Sequence, residues 1–227
     1  MRYYPLFLDV NNRACLVVGG GAVGTRKVET LLACGARVTV VSVATTPRLD
    51  ALAEKGAVSL ARRAYHADDL EGKFLVIGAT DDEALNRQIS EDAGRRNLLC
   101  NIADQPSLCN FILPAIVDRG DLVVAVSTSG KSPAAAKRIR QALQKQFGPE
   151  YGPFLALMGK IRDVLLAEAH EPEAHKDLFE ELIDGGLLEM VRENRGDEIR
   201  DLLRRHLGEH LDPERIWPGG PASAAGD

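Results

Sequence analysis

The fold is decided near the amino terminus by residues 15–27, which have the sequence CLVVGGGAVGTRK. A short apolar run leads directly into the glycines, and a helix-forming run follows them as far as Cys34. The spacing Gly19-x-Gly21-x-x-Gly24 therefore lies between a predicted strand and a predicted helix. Because a second apolar run at residues 37–42 follows about one βαβ unit later, this part of the chain is predicted to form a parallel α/β sheet.

In this context each glycine has a separate task. Gly19 makes the tight turn, Gly21 lets the backbone approach a pyrophosphate, and Gly24 lets the helix pack on the strand. The helix N-terminus favours an anion, so the pattern predicts an NAD-binding loop that includes Ala22 and Val23. The alternative is a purely structural turn, because glycines often only close one.

The end of the second strand departs from the dinucleotide fingerprint. Where that fingerprint has Asp or Glu, this chain has Ser42, followed by Val43. A serine can bond a ribose hydroxyl, but it does not repel a 2′-phosphate as a carboxylate does. We therefore expect Ser42 and Val43 to be cofactor ligands, and the choice between NAD and NADP stays open.

Length and composition set broad limits on the class of protein. A chain of 227 residues can hold one large domain or two modest ones, and 45% hydrophobic with 27% charged residues is typical of a soluble globular protein. The net charge of −5 argues against a general nucleic-acid binder. With no signal peptide and no long apolar run, we expect a cytoplasmic protein without a membrane partner. The four cysteines and five histidines show no metal-ligand spacing, so we expect reduced thiols and no metal site.

Further apolar runs separated by helical segments extend the predicted sheet, at residues 57–60, 74–79 and 98–103. Polar residues follow several of these strands, among them Ser42, Thr80 and Asp104. Ligands of doubly wound sheets bind at the carboxyl ends of the strands. The sequence therefore predicts one site at that edge, shared with the glycine loop.

The pattern changes after Pro106 and suggests a division into four parts. A short strand is predicted at residues 4–10, two strands joined by a turn at residues 110–127, and a helix from Ser132 to about Phe147. Only helical periodicity follows. We expect a Rossmann-like domain (1–110), a small α+β segment for dimerisation and substrate (111–148), a helical domain (149–211) and a disordered tail (212–227).

Charge is unevenly distributed in the middle of the chain. From Arg119 to Lys145 there are six basic residues and a single acid, Asp121, whereas acids dominate after Asp163. A basic middle suggests an anionic ligand there. The alternative is a solvated helix face.

Six short motifs occur in a fixed order: PLFL (5–8), VVGGGxVxxRK (17–27), ATDDxxLN (79–86), NxxD (101–104), FIxPA (111–115) and VAVSTSGKSP (124–133). As an ordered set they resemble precorrin-2 dehydrogenase, the dehydrogenase/ferrochelatase module of siroheme synthase. The resemblance is dense over residues 3–147, and beyond them there is only a helical region of suitable size. Because no methyltransferase module follows in this sequence, the chain is similar to the stand-alone form.

The resemblance implies NAD-dependent oxidation of precorrin-2 to sirohydrochlorin, with insertion of ferrous iron to give siroheme in bifunctional members. It also implies a homodimer whose middle segments exchange between subunits. Asp104, the aspartate of NxxD, is the implied catalytic base, and the alternative is an aspartate that only caps its loop. Asn101 either orients the cofactor or substrate or satisfies buried backbone. Thr80 either lines the cofactor crevice or caps a helix.

The implied substrate carries eight carboxylates, so cationic and hydrogen-bonding groups are expected around it. The candidate substrate ligands lie in the basic middle of the chain: Arg119, Ser127, Thr128, Lys131, Lys137 and Arg138. One rival interpretation within enzymes is a dehydrogenase without chelatase activity. A rival of another class is a regulatory domain that senses NAD(H) without catalysis, which would explain residues 13–104 but neither NxxD nor the basic stretch.

Overall fold

The computed structural model describes residues 3–168, 176–207 and 213–217. Its contacts divide the chain into two compact units, Met1–Leu113 and Pro114–Asp227. The four-part division expected from the sequence stays a prediction. Residues 169–175 and 208–211 of the expected helical domain, and residues 212 and 218–227 of the expected tail, lie outside the described residues.

The first unit is a five-stranded parallel sheet with helices on both faces. Its strands are β1 (Ala14–Gly20), β2 (Arg37–Thr45), β3 (Val58–Ala61), β4 (Leu75–Gly78) and β5 (Leu99–Ile102). Its helices are α1 (Ala22–Ala33), α2 (Pro47–Glu54) and α3 (Glu83–Arg95), with short 3₁₀ turns at Ala67–Leu70 and Pro106–Leu108. The strand order β3-β2-β1-β4-β5 confirms the predicted Rossmann-like doubly wound sheet. The order reverses beside β1, where such sheets bind ligands.

Burial explains why β1 is central. Cys15, Leu16 and Val17 are fully buried, because consecutive side chains point to opposite faces and both faces are covered. On one face Val17 packs with Val28 of α1, and on the other Leu16 packs with Ile89 of α3. The continuous apolar run that precedes the glycines is therefore a strand buried on both sides.

The segment before β1 differs from the prediction. No strand forms at residues 4–10, and Tyr4, Leu6 and Phe7 are 84%, 62% and 75% exposed. Only Val10 enters the core of the first unit. The apolar composition suggested a strand, but the segment pairs with no strand edge among the described residues.

The second unit begins with an antiparallel hairpin and continues as helices. Its strands are β6 (Ala115–Arg119) and β7 (Leu122–Val126). Its helices are α4 (Pro133–Gln146), α5 (Tyr151–Glu168), α6 (Lys176–Asp184), α7 (Leu187–Arg192), α8 (Gly196–Leu207) and α9 (Pro213–Ile216). Both predicted strands and the helix after Ser132 are present. None of the helices in the described part of the chain is long and apolar enough to cross a membrane.

Part of the expected tail is structured, which corrects the prediction for residues 213–217. Ile216 and Trp217 are 5% and 6% exposed and belong to the helical core with Leu157, Leu182 and Ile199. The region was predicted to be disordered because it is rich in Pro and Gly. Burial of its two large apolar side chains nevertheless stabilises the short helix α9.

Candidate functional site

The glycine loop between β1 and α1 is shaped by close backbone contacts. Gly19 has φ +109°, and a Cβ there would lie 2.3 Å from the Ala79 carbonyl oxygen. A Cβ on Gly24 would lie 2.0 Å from the Gly19 carbonyl oxygen. Gly21 has φ −73° and faces open space, because a Cβ would meet no atom within 4 Å. Gly19 and Gly24 are therefore required by packing, whereas Gly21 leaves room for a ligand.

The N-terminus of α1 is suited to an anion. Gly21 is its N-cap, no side chain caps it, and its first turn carries no acid. The first N–H groups of a helix have no acceptor within it, so those of Ala22 and Val23 are available to a phosphate. The loop thus fits the pyrophosphate of a dinucleotide.

Ser42 is placed differently from the expectation. Its Oγ accepts a hydrogen bond from the Gly20 N–H at 2.8 Å and donates one to the Ala44 carbonyl oxygen at 2.6 Å. A hydroxyl has one proton, and here the Ala44 carbonyl takes it. The Ser42 side chain therefore fixes the glycine loop, and a contact between Ser42 and the cofactor stays a prediction. Val43 beside it is 78% exposed at the carboxyl end of β2.

Thr80, two residues after β4, is held by a buried asparagine. The Thr80 hydroxyl donates to Asn86 Oδ1 at 2.9 Å, and Asn86 Nδ2 donates to the Thr80 carbonyl oxygen at 2.9 Å. Asn86 is 2% exposed. The cap of α3 is Asp82, whose side chain accepts from the N–H groups of Ala84 and Leu85. Thr80 is thus not the capping residue, and its position at the edge of the site is fixed by Asn86.

Asp104 lies two residues beyond the carboxyl end of β5. It is exposed, and its φ of +58° places it in the left-handed region, which is uncommon for a residue other than glycine. The Ala103 N–H donates to the Gly78 carbonyl oxygen at 2.8 Å, which ties the turn to β4. Strained backbone of this kind is frequent at functional sites.

A cation on α1, Lys27, is subject to the charge of Asp104. Lys27 is half-buried, and burial and the Arg26 charge hold the pKa of Lys27 below its ordinary value, while the Asp104 carboxylate acts in the opposite direction. The carboxyl edge of the sheet therefore brings together the glycine loop, Thr80, Asp104 and Lys27. Lys27 belongs to the motif at residues 17–27, but its sequence context did not indicate a role.

Asn101 and Asn110 organise the segment that follows the Asp104 turn. Asn101 is 8% exposed, and its Nδ2 donates to the Phe111 carbonyl oxygen at 3.1 Å. Asn110 Oδ1 accepts from the Cys100 N–H at 2.8 Å, and its Nδ2 donates to the Leu98 carbonyl oxygen at 2.7 Å. These contacts favour the structural alternative for Asn101. The role of Asn110, which completes the free edge of β5, was missed because nothing in its sequence context suggested it.

The cysteines near the site do not resemble nucleophiles. Burial, with a smaller effect from Cys109, raises the pKa of Cys100 to about 12, and burial raises the pKa of the Cys109 thiol. The Cys109 Sγ accepts from the Ile102 N–H at 3.1 Å. The nucleophile in thiol chemistry is the thiolate, so both groups are structural.

The candidate substrate ligands lie in the second unit. The Arg119 guanidinium donates to the backbone carbonyls of Asp118, Gln144 and Phe147, the last from Nε at 2.9 Å. Arg119 thus satisfies the free carbonyls at the end of α4, and its role as a substrate ligand stays a prediction.

The other candidates surround the start of α4. Thr128 and Ser127 shape the loop before it: the Thr128 hydroxyl donates to the Ser132 carbonyl oxygen at 3.1 Å, and Ser127 Oγ accepts from the Ser129 N–H at 3.1 Å. Three exposed cations form no ion pair with any described residue: Lys131, Lys137 and Arg138. They remain candidate ligands for an anion.

Two family models cover most of the first 146 residues. Residues 6–115 match a family described as putative NAD(P)-binding, and residues 119–146 match one described as sirohaem biosynthesis protein central. Among solved structures, SirC, a precorrin-2 dehydrogenase, superposes with a TM-score of 0.75 at 28% identity, covering 90% of this chain and 99% of SirC. The chain belongs to the family of SirC and the siroheme synthase N-terminal module.

Curated members of this family are similar along nearly the whole chain. Siroheme synthase of Thioalkalivibrio sulfidiphilus is 40% identical over 212 residues, which are 93% of this chain and 43% of that protein. Siroheme synthase 1 of Pectobacterium atrosepticum is 35% identical over 227 residues, which are 100% of this chain and 46% of that protein. The chain thus spans about half the length of these relatives. Membership of the SirC family agrees with the sequence-based resemblance and with the NAD(P)-binding fold.

Proposed function

We propose that this chain is an NAD-dependent precorrin-2 dehydrogenase of siroheme biosynthesis, which oxidises precorrin-2 to sirohydrochlorin. The observation that carries the proposal is the position of Asp104, which lies in a fixed left-handed turn at the same sheet edge as the glycine loop. Family membership supports the choice of substrate. A nucleotide loop alone would fit many proteins, whereas a carboxylate at the same edge of the sheet supplies a proton acceptor.

The cofactor is assigned to the residues at the carboxyl ends of β1, β2 and β4. The N–H groups of Ala22 and Val23 would hold the pyrophosphate above Gly21, with Val43 and Thr80 at the edges of the crevice. When bound, the nicotinamide accepts a hydride from the substrate. The protein orients the cofactor through the fixed glycine loop, which Ser42 and Gly24 hold in place.

Asp104 is proposed as the general base for the proton that leaves the macrocycle. Its side chain is exposed to a ligand, while its backbone is held by the bond from Ala103 to Gly78. A positioned base contributes about 10²–10⁴-fold to a rate. The exposed cations Lys131, Lys137 and Arg138 are proposed to attract the substrate carboxylates, because charge-assisted bonds to carboxylates are among the stronger hydrogen bonds.

The test is anaerobic incubation of the protein with precorrin-2 and NAD, with sirohydrochlorin formation followed by absorbance. Asp104→Asn is the preferred variant, because asparagine tolerates the left-handed backbone better than alanine. We expect the wild type to form product and the variant to be slowed about 100-fold or more in kcat. The affinity for NADH, measured by fluorescence titration, should be unchanged.

A matched control is Asp81→Asn, which removes a nearby exposed carboxylate outside the turn. Equal turnover by wild type and Asp104→Asn would remove Asp104 from the assigned role. NADH binding without oxidation of precorrin-2 by the wild type would overturn the enzyme proposal and favour an NAD(H)-sensing domain.

Iron insertion is a second candidate activity. The Asp104 carboxylate could accept the protons that leave the macrocycle nitrogens when ferrous iron enters, so one base would serve both steps. Adding ferrous iron after the first reaction tests it. Siroheme formation above the rate without enzyme, and its loss in Asp104→Asn, would support chelation, while an unchanged rate would exclude it for this chain.

We further propose that the protein is a homodimer that uses the β6-β7 hairpin. Val117 is 1% exposed, but its neighbours on the other face are open: Ile116 is 44% and Val123 37% exposed. A two-stranded hairpin rarely leaves an apolar face in water. Ile116→Asp should convert the dimer to a monomer in analytical ultracentrifugation. The control Ile183→Asp, at a residue 49% exposed elsewhere in the second unit, should leave the mass unchanged.

A further inference from the structure

Lys27 lies on the part of α1 that faces the candidate site. It is the sixth residue of the helix, three positions after Gly24. Residues three apart share one side of a helix. Gly24 lies against β1 and β4, since a Cβ there would be 2.0 Å from the Gly19 carbonyl oxygen and 3.7 Å from Ala79 Cβ. The Lys27 side chain therefore starts from the side of α1 that is turned towards β4.

The Lys27 ammonium has an unusual environment. The side chain is half-buried, yet it forms no hydrogen bond and no ion pair with any described residue. Arg26 is the neighbouring cation, and Asp104 is the carboxylate whose charge acts on Lys27. The two groups are not in direct contact. A partly desolvated ammonium without a partner is unfavourable, so an anion that enters between α1 and the Asp104 turn would gain from it.

The position distinguishes two possible anions. The pyrophosphate is assigned to the first turn of α1, at Ala22 and Val23, whereas Lys27 lies more than one turn further along. A Cβ on Gly24 of α1 would lie 3.7 Å from Ala79 Cβ, and the Asp104 turn is bonded to the Gly78 carbonyl oxygen at 2.8 Å, so Lys27 and the proposed base both lie by the end of β4. The substrate of the proposed reaction carries several carboxylates. A substrate carboxylate therefore fits this position better than the cofactor phosphate.

We propose that Lys27 binds a carboxylate of the tetrapyrrole beside Asp104 and thereby holds the reacting part of the macrocycle against that base. This inference rests on the proposed function. The ammonium supplies a charge-assisted hydrogen bond, which makes Lys27 a substrate-binding residue with a role distinct from that of the glycine loop.

The test uses Lys27→Met, which keeps the unbranched side chain as far as Cε and removes the charged ammonium, and Lys27→Arg, which keeps the charge. Affinity for sirohydrochlorin, measured by anaerobic absorbance titration without cofactor, is the readout that does not depend on turnover. We expect Lys27→Met to weaken sirohydrochlorin binding and to raise KM for precorrin-2 by about 10- to 100-fold, with a smaller fall in kcat. Lys27→Arg should recover most of the affinity.

The matched control is Arg26→Met, an exposed cation at the adjacent position of the same helix, which should leave sirohydrochlorin affinity within about 2-fold. NADH affinity should be unchanged in Lys27→Met.

Unchanged sirohydrochlorin affinity in Lys27→Met would overturn the proposal. A loss of NADH affinity alone would also overturn it, because Lys27 would then be a cofactor ligand. If Lys27→Met does not fold, the sirohydrochlorin affinities of Lys27→Gln and Lys27→Arg are compared instead, which again tests whether the charge is needed. Failure of the wild type to oxidise precorrin-2 would instead contradict the proposed function, so the two failures are distinguishable.

Discussion

Ser42 fixes Gly20: the Gly20 N–H donates to Ser42 Oγ at 2.8 Å, and the same hydroxyl donates to the Ala44 carbonyl oxygen at 2.6 Å. One side chain thus joins the glycine loop to the end of β2, the two segments that surround the adenosine half of a dinucleotide in this fold. Its proton is committed within the protein.

Replacing Ser42 by Ala tests this arrangement. The buried Gly20 N–H would lose its partner, so we expect a loss of about 1–3 kcal/mol in the free energy of unfolding and weaker NADH binding. The ratio of NAD to NADP affinity should not change, because the Ser42 proton is bonded to the Ala44 carbonyl oxygen. Urea unfolding and fluorescence titration measure both quantities. Ser59→Ala, at an exposed position of β3, is the control, and a changed NAD/NADP ratio would show that Ser42 contacts the ribose.

Alanine substitutions at Gly21 and Gly24 are expected to change different properties, dinucleotide affinity at Gly21 and stability at Gly24. Gly21→Ala meets no atom within 4 Å and keeps an ordinary φ of −73°, so stability should stay within about 0.5 kcal/mol while dinucleotide affinity falls. Gly24→Ala places a Cβ 2.0 Å from the Gly19 carbonyl oxygen and should reduce stability by about 1–3 kcal/mol. Thermal unfolding and NADH titration of the pair separate the two effects. Destabilisation by Gly21→Ala would show that the loop is filled by the protein itself.

The reciprocal bonds between Asn86 and Thr80 suit a double-mutant cycle. Asn86→Ala leaves the Thr80 hydroxyl and carbonyl without their buried partner, so we expect a loss of about 1–3 kcal/mol and weaker NADH binding. Thr80→Val added to Asn86→Ala should cost less than the sum of the single changes, since both partners of the hydroxyl bond are then absent. Gln88→Ala on the exposed side of α3 is the control. Additive losses would contradict a direct coupling.

An ion pair away from the site predicts a pH dependence of stability. The Arg63 guanidinium, 2.8 Å from Asp69 Oδ2, holds the pKa of the Asp69 carboxyl below its ordinary value; burial acts against this, and the His66 N–H acts with it. Because the pKa of Asp69 is lower in the folded state than in the unfolded state, its carboxylate stabilises the fold at pH values above the unfolded pKa of about 3.9. This contribution is lost as the pH falls through the pKa of the folded state. Unfolding at about pH 6, 4 and 3 should show a steeper loss for the wild type than for Asp69→Asn.

The control for this prediction is the neighbouring carboxylate. Asp68 has a side chain that is 94% exposed, so Asp68→Asn should leave the pH profile close to that of the wild type. Equal profiles for Asp69→Asn and the wild type would show that the ion pair with Arg63 is screened by solvent.

The sequence by itself determined the class of fold. A strand followed by Gly19-x-Gly21-x-x-Gly24 and a helix allows few other structures, because these glycines are required where a backbone carbonyl or a ligand approaches closely. The continuous apolar runs predicted strands buried on both faces, and the polar residues that follow them predicted where the site lies. Each of these inferences depends on neighbouring residues, which a sequence displays directly.

Only the tertiary structure decided how the side chains of the site are used. Ser42 and Arg119 were predicted to bind ligands, and the structure shows that they also bond to the Gly20 N–H and to the carbonyls at the end of α4, partners that are distant in sequence. Asn86 and Asn110 acquired roles for the same reason. A polar side chain has the same chemistry wherever it lies. Whether it serves a ligand or the backbone depends on which unpaired group the folded chain brings next to it.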